Sequence, residues 1–200
     1  MSAATQKTRS KRRALLLLMM LLFFSPLLLS FLIYYGTSWR PTRSTNHGRL
    51  IQPPRTLTVP PLPRLGAATL ADAAVLMGKW SLVYVGAGRC DEDCRRTLYF
   101  IRQTDLGLGN LSARVQQVFL VSADCCDEAF LAHEHPNLIT LNAQSDAAAS
   151  LLAQFPLVER RGGIFIVDPR ANLMMRYDSS ADPKGLRDDL KKLLSLSHIG

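Results

Sequence analysis

The chain has 200 residues, with 24 Lys and Arg against 16 Asp and Glu and a formal net charge of +8. All sixteen acids lie between Asp72 and Asp189, and residues 51–200 carry sixteen Lys and Arg, so the whole excess comes from the eight basic residues before position 51. Positive charge confined to one terminus is a topology and lipid-headgroup signal, and it argues against a basic groove for nucleic acid.

Residues 1–13 hold Lys7, Arg9, Lys11, Arg12 and Arg13 and no acid. The run 14–39 has no charged residue, is rich in Leu, Met and Phe, and exceeds the roughly 20 residues needed to span a bilayer. Pro26 near its middle predicts a kink. A cleaved signal would show a shorter apolar core and a small-residue cleavage site, so the run reads as an uncleaved transmembrane anchor. The basic cluster before it places the N-terminus in the cytoplasm, with Tyr34, Tyr35 and Trp39 forming an aromatic belt at the far interface. Residues 40–65 contain six of the eleven prolines. Such a segment is extended and folds poorly, which predicts a stalk, leaving 66–200 as a domain large enough for one core.

Within that domain Trp80–Val85 reads as a buried strand, and Asp91 to about Gln103 as a helix with Leu98 and Ile101 on one face. A second strand falls in Val115–Val121, a short helix in Asp127–Ala132, a brief strand at Leu138–Leu141 and an Ala- and Leu-rich helix over Asp146–Gln154. Gly163–Val167 and Leu173–Tyr177 read as paired strands around the turn Asp168–Asn172. Met174 and Met175 alternate along the second of them, so one faces the core. Asp182 caps a last helix that has Pro183 at its first position and runs to about Leu196. Alternation of this kind predicts a small mixed α/β sheet covered on both faces.

The most informative motif is Cys90-Asp91-Glu92-Asp93-Cys94, directly after the first strand. Amides at a helix N-terminus favour a thiolate, the species that attacks disulfides and binds soft metals. The three carboxylates in the same loop oppose that activation. Four cysteines suit an oxidising compartment, but two are adjacent, Cys125 and Cys126, and the set is not spaced like a disulfide framework. A structural bond, or a pair of inert buried thiols, is the plainer reading of Cys90 and Cys94; their place at a strand-to-helix junction favours reactivity. For Cys125 and Cys126 the plainer reading is incidental thiols, for His133 and His135 solvated loop histidines, and for Arg160-Arg161 a solvated turn. His47 and His198 carry no signal. No Ser-His-Asp set, Walker loop, dinucleotide fingerprint or zinc-spaced cluster competes.

Gly78-Lys79-Trp80 through Cys94, then Val118–Asp124, then Ile164-Phe165-Ile166-Val167-Asp168-Pro169, resembles the Sco/SenC family, in particular its short membrane-anchored bacterial members. The resemblance spans about residues 75–196. It implies a thioredoxin-like mixed sheet flanked by helices and preceded by one transmembrane helix. It also implies a role in cytochrome c oxidase assembly, with the domain in the periplasm of a bacterial inner membrane. In that family the two cysteines, here Cys90 and Cys94, bind copper or act as a redox pair. A histidine shortly before the Asp-Pro strand is the third copper ligand. Here that stretch is Val158-Glu159-Arg160-Arg161-Gly162-Gly163, and Arg160 falls at about the ligand position. A guanidinium stays protonated and cannot ligate, whereas two thiolates alone can hold Cu(I).

In a thioredoxin-like sheet the first two core strands run parallel, so the loop after Val121 is expected beside Cys90, bringing Cys125 or Cys126 near the pair. His133 and His135 would need their short helix to turn back. Three readings remain. One is a thiol–disulfide protein acting on a copper-site partner, a cytochrome c oxidase subunit or another copper-site protein, with Cys90 attacking and Cys94 resolving. The second is a copper(I) chaperone using the same two cysteines. The third is a non-catalytic docking factor of the same fold. Cys90, at the exposed strand end, is expected to be the more reactive thiol.

Overall fold

The computed structural model describes residues 3–36, 45–66, 69–124, 127–156, 162–178, 182–197 and 199, with side chains from residue 13 onward. The chain divides into two compact units, Met1–Thr45 and Asn46–Gly200. In the first, helix α1 (Ala3–Gly36) continues through Pro26. Its apolar portion, Arg13–Gly36, has 24 residues, about 36 Å at a rise of 1.5 Å per residue, against a hydrocarbon core of about 30 Å. It is long and apolar enough to cross a membrane once. Trp39, expected to extend the aromatic belt, lies outside the described residues.

The second unit contains β1 (Arg49–Thr56), β2 (Leu62–Pro63), β3 (Leu70–Ala71), β4 (Trp80–Ala87), α2 (Glu92–Leu106), β5 (Val115–Ala123), α3 (Glu128–Glu134), β6 (Leu138–Asn142), α4 (Asp146–Leu152), β7 (Ile164–Val167), β8 (Asn172–Tyr177) and α5 (Pro183–Leu196), with a 3-10 turn at Gly109–Arg114. Six strands form one sheet in the order β1-β8-β7-β4-β5-β6. The pairs β4–β5 and β5–β6 are parallel, and β4–β7, β7–β8 and β1–β8 antiparallel. This is the small mixed sheet expected from the alternation of elements, in the thioredoxin-like form that the family resemblance implies.

The central strands are apolar on both faces, as strands buried on two sides must be. Trp80, Leu82, Tyr84, Phe119 and Ile166 face a layer made by α2 and α5, which supply Leu98, Ile101, Leu186, Leu190 and Leu194. Val83, Val85, Val118, Leu120 and Phe165 face the other way. In β8 an extra residue between the partners of Ile166 and Val167 forms a bulge, so Leu173 and Met175 bury on opposite faces while Met174 is half-buried.

The second face corrects the stalk expectation. Helix α4 has only seven residues and leaves much of that face uncovered. Leu57, Val59, Leu62 and Leu76 close it, packed with Leu151, Phe155 and Phe165. Ahead of them β1 pairs with β8, and its Pro53 and Pro54 fall in the irregular stretch between Leu50 and Arg55, where ladder bonds are interrupted. Proline is tolerated at such a place on an edge strand because no N–H is needed there. The folded unit therefore begins at Asn46, and most of the proline-rich segment belongs to it.

The start of this unit is fixed by one buried carboxylate. Asp189 of α5, 4 % exposed, accepts hydrogen bonds at a single oxygen, Oδ2, from the amides of His47 (2.7 Å) and Gly48 (2.9 Å) and from Tyr177 Oη (2.6 Å). Gly48 is required by close approach, because a Cβ there would enter the Tyr177 ring.

Candidate active site

Strand β4 ends at Ala87, and the turn Gly88-Arg89 delivers Cys90 at φ 45°, in the left-handed region. Asp91 then caps α2, its carboxylate accepting from the Cys94 amide at 3.0 Å. Cys90 and Cys94 are joined in a disulfide, with Cα atoms 4.9 Å apart. Both are 2 % exposed. The expectation that Cys90 is the more exposed of the two is thus not met; in the disulfide state both cysteines are equally buried.

The topology brings three loop ends to this point. Since β5 runs parallel to β4, Ser122, Ala123 and Asp124 emerge beside the disulfide. Since β7 runs antiparallel, the residue leading into it, Gly162, arrives at the same end and hydrogen-bonds Val85 O at 3.3 Å. Together they line a cleft of about 500 Å3 with Tyr84, Gly86, Arg89, Cys90, Asp91, Asp93 and Cys94. Asp124 also has a positive φ, 38°. Two of the three non-glycine residues with positive φ among the described residues therefore sit in this cleft, and backbone conformations of this cost persist where the surroundings impose them.

The loops are cross-braced. Gly88 N donates to Ala123 O at 2.7 Å, and Asp127 N to Gly88 O at 3.3 Å. Arg95 reaches from α2 to Cys90 O (3.2 Å) and Asp127 (2.9 Å), and lies 4.3 Å from the Phe130 ring centre. Asp127 in turn caps α3 through Phe130 N. Neither Arg95 nor Asp127 was singled out from the sequence; in a chain with many surface charges, the pairing becomes visible only once α2 and α3 are placed.

Tyr84 was read from the sequence only as part of a buried strand. Its hydroxyl lines the cleft, standing where a Cβ on residue 86 would be 2.6 Å away, so glycine is needed there. Burial first, and then the charges of Asp91 and Asp93, push this hydroxyl up to about 12. Tyr177 is raised as well, by burial and then by its hydrogen bond to Asp189. A group whose folded value is raised gives stability that is complete below its unfolded value, near 10 for tyrosine, and is lost above it. The domain is therefore expected to be stable to about pH 10 and to lose stability as the pH climbs toward 12, Tyr84's share being spent there; urea melts at stepped alkaline pH would show it.

His133 and His135 do not join the pair, and of the two only His133 is the solvated histidine expected. Helix α3 starts at the cleft, where Asp127 meets Gly88, and runs away from it, so His133 and His135 lie at its far end. His133 is exposed and 2.9 Å from Glu134. His135 is 7 % exposed, packs edge-on to Phe130, and lines a separate cavity of about 290 Å3 with Leu65, Leu131 and Leu138. Burial, and then the charge of Arg102, hold it below the usual histidine range. Cys125, Cys126, Arg160 and Arg161 lie outside the described residues, although Asp124 and Gly162, beside them in sequence, border the cleft. Among the described residues no three His, Cys, Asp or Glu are grouped to hold a metal. Reduced, Cys90 and Cys94 would offer two soft thiolates, which fits low-coordinate Cu(I). The carboxylates nearby are hard ligands and do not complete a soft site.

A family model described as the transmembrane-like, thioredoxin-like C-terminal domain matches residues 80–197. The chain belongs to this family. The match runs from the first residue of β4 past the end of α5, and α1 fits the transmembrane part of the family's description. No curated protein sequence matches the chain significantly. Among solved structures, apo Sco1 from Thermus thermophilus is 18 % identical, with a TM-score of 0.60 over 78 % of this chain and 100 % of that one. Yeast Sco1 with copper bound is 17 % identical, with a TM-score of 0.54 over 78 % and 96 %. A DsbF homologue from Corynebacterium diphtheriae is 12 % identical, with a TM-score of 0.54 over 81 % and 100 %. The fold of this family member is thioredoxin-like, shared with the Sco structures and with the DsbF homologue.

Proposed function

We propose that the protein is a membrane-anchored thiol–disulfide factor of cytochrome c oxidase assembly, working on the copper-site cysteines of an oxidase subunit or another copper-site protein. The observation that carries the reading is the Cys90–Cys94 disulfide at the end of β4, facing an open cleft at the start of α2. The anchor crosses a bacterial inner membrane with its basic end in the cytoplasm and holds the domain in the periplasm, a compartment that permits disulfides.

The reduced protein attacks the partner's disulfide with the Cys90 thiolate. One partner sulfur leaves as a thiolate and takes a proton from water. Cys94 then gives up its proton and attacks Cys90 Sγ, releasing the second partner thiolate. The partner gains two electrons, and the Cys90–Cys94 disulfide is formed. A periplasmic dithiol reductant must restore it. Cys90 is assigned the attack because it precedes the helix cap, while Cys94 lies within the first turn of α2.

The test is trapping in cells. Cys94→Ser removes the resolving thiol, so mixed disulfides with the partner are expected to accumulate on Cys90, and Cys90→Ser is expected to trap none. If neither variant traps a partner and both support normal oxidase assembly, the docking reading replaces this one. A copper(I) chaperone role is favoured only by the two soft sulfurs. Reduced protein is expected to take up one Cu(I) and little Cu(II), measured by competition with chelators of each ion. Cu(I) retention by Cys90→Ser would remove the pair from metal binding.

A further inference from the structure

We propose that Tyr84 Oη is the hydrogen-bond donor to the sulfur that carries negative charge during exchange at the Cys90–Cys94 pair. The proposal rests on the reading of that pair as exchange-active. Tyr84 is 3 % exposed, and its ring is held against Phe119, centre to centre 5.1 Å. A tyrosine buried to this degree ordinarily satisfies its hydroxyl with a partner. This hydroxyl makes no hydrogen bond to a described residue; it is no sealed-in orphan but meets the cleft that Cys90 and Cys94 also line, where water can serve it. Gly86 keeps the space it occupies clear.

A disulfide sulfur is a weak acceptor, so in the oxidised state the hydroxyl gains little from the pair and is left to water. Reduction creates a thiolate in the same cleft, and a charged acceptor makes the stronger hydrogen bond. Asp91 and Asp93 face the same space and oppose negative charge there, so a neutral donor offsets part of their field. The hydroxyl shares its proton and does not transfer it, because a phenol titrating near 12 does not protonate a thiolate whose acid ordinarily titrates at about 8.5. The protons taken up by departing sulfurs come from water, as in the exchange above, and Tyr84 is unchanged at the end of the cycle.

The test compares full-length wild-type protein in detergent with Tyr84→Phe, equilibrated with reduced and oxidised glutathione at about pH 9, where a free thiol is largely ionised. Loss of one hydrogen bond to a charged sulfur is expected to shift the equilibrium toward the disulfide about tenfold and to slow reduction by dithiothreitol, with the melting temperature of the oxidised form unchanged. Should Tyr84→Phe melt early, Gly86→Ala supplies the second measurement. Its Cβ would stand 2.6 Å from Tyr84 Oη and 2.7 and 2.8 Å from Cζ and Cε1, moving the ring tip together with the hydroxyl, and the same shift is expected. Folded variants with the wild-type equilibrium and rate overturn the role of Tyr84. If Cys94→Ser still traps a partner in that case, only Tyr84's role falls; if the wild-type pair fails to exchange with any thiol, the reading beneath it falls too.

Discussion

A soluble fragment beginning at residue 66 is expected not to fold, whereas one beginning at Asn46 is expected to give a cooperative melt. The shorter fragment loses β1 and with it the pairing along the outer edge of β8. It also loses Leu57, Val59 and Leu62, all buried against the second face of the sheet. Burying a side chain of this kind contributes about 1.5–3 kcal/mol, so three of them amount to roughly 5–9 kcal/mol, comparable with the whole stability of about 5–15 kcal/mol of an ordinary domain. Circular dichroism melts and amide dispersion in NMR spectra of the two fragments decide the matter. Equal stability would return residues 46–65 to the role of a stalk.

Asp189→Ala is expected to be the most damaging single substitution outside the hydrophobic core. It strands three donors at once: the amides of His47 and Gly48 and the hydroxyl of Tyr177. A buried donor without a partner costs about 1–3 kcal/mol, which sums to roughly 3–6 kcal/mol when part of the loss is relieved by water. Asp189→Asn is expected to cost far less, about 1 kcal/mol, because all three bonds end on one oxygen and an amide oxygen can take its place. Urea unfolding of the Asn46–Gly200 unit measures both, and a small loss for the alanine variant would show that the chain entering the domain is not held by this carboxylate.

The two variants probe what was hard to see in the sequence. Asp189 lies three residues after Leu186, at the edge of the apolar face that Leu186, Leu190 and Leu194 mark, and nothing local says whether an acid there meets water or a buried partner. Its burial follows from Tyr177 and the chain at residues 47–48 arriving over the same turn of α5, from far away in sequence. The proline-rich segment misled for a related reason. Proline density reports that a segment makes no helix and no central strand, but an edge strand with an interruption and an extended cover over a sheet are compatible with the same composition. The central strands, by contrast, were legible. Continuous apolar runs such as Trp80–Val85 and Ile164–Val167 are what a strand buried on both faces requires, and Asp182-Pro183 starts a helix by local chemistry alone.

The candidate site divides in the same way. The sequence by itself determined the long apolar helix near the N-terminus, the order of strands and helices from residue 80 onward, and the placing of Cys90 and Cys94 at a strand-to-helix junction, because each depends on residues close together in the chain. It could also bring the loop after β5 to the cysteines, once a parallel pairing was assumed. Only the tertiary structure decided that Tyr84 turns its hydroxyl into the cleft, that Arg95 braces Cys90 against Asp127, and that α3 carries His133 and His135 away from the sulfurs. These depend on helix direction and on which face of a strand meets which loop. Hydrophobic periodicity fixes what is buried, but distances between polar groups are set by the packing of elements that the sequence keeps far apart.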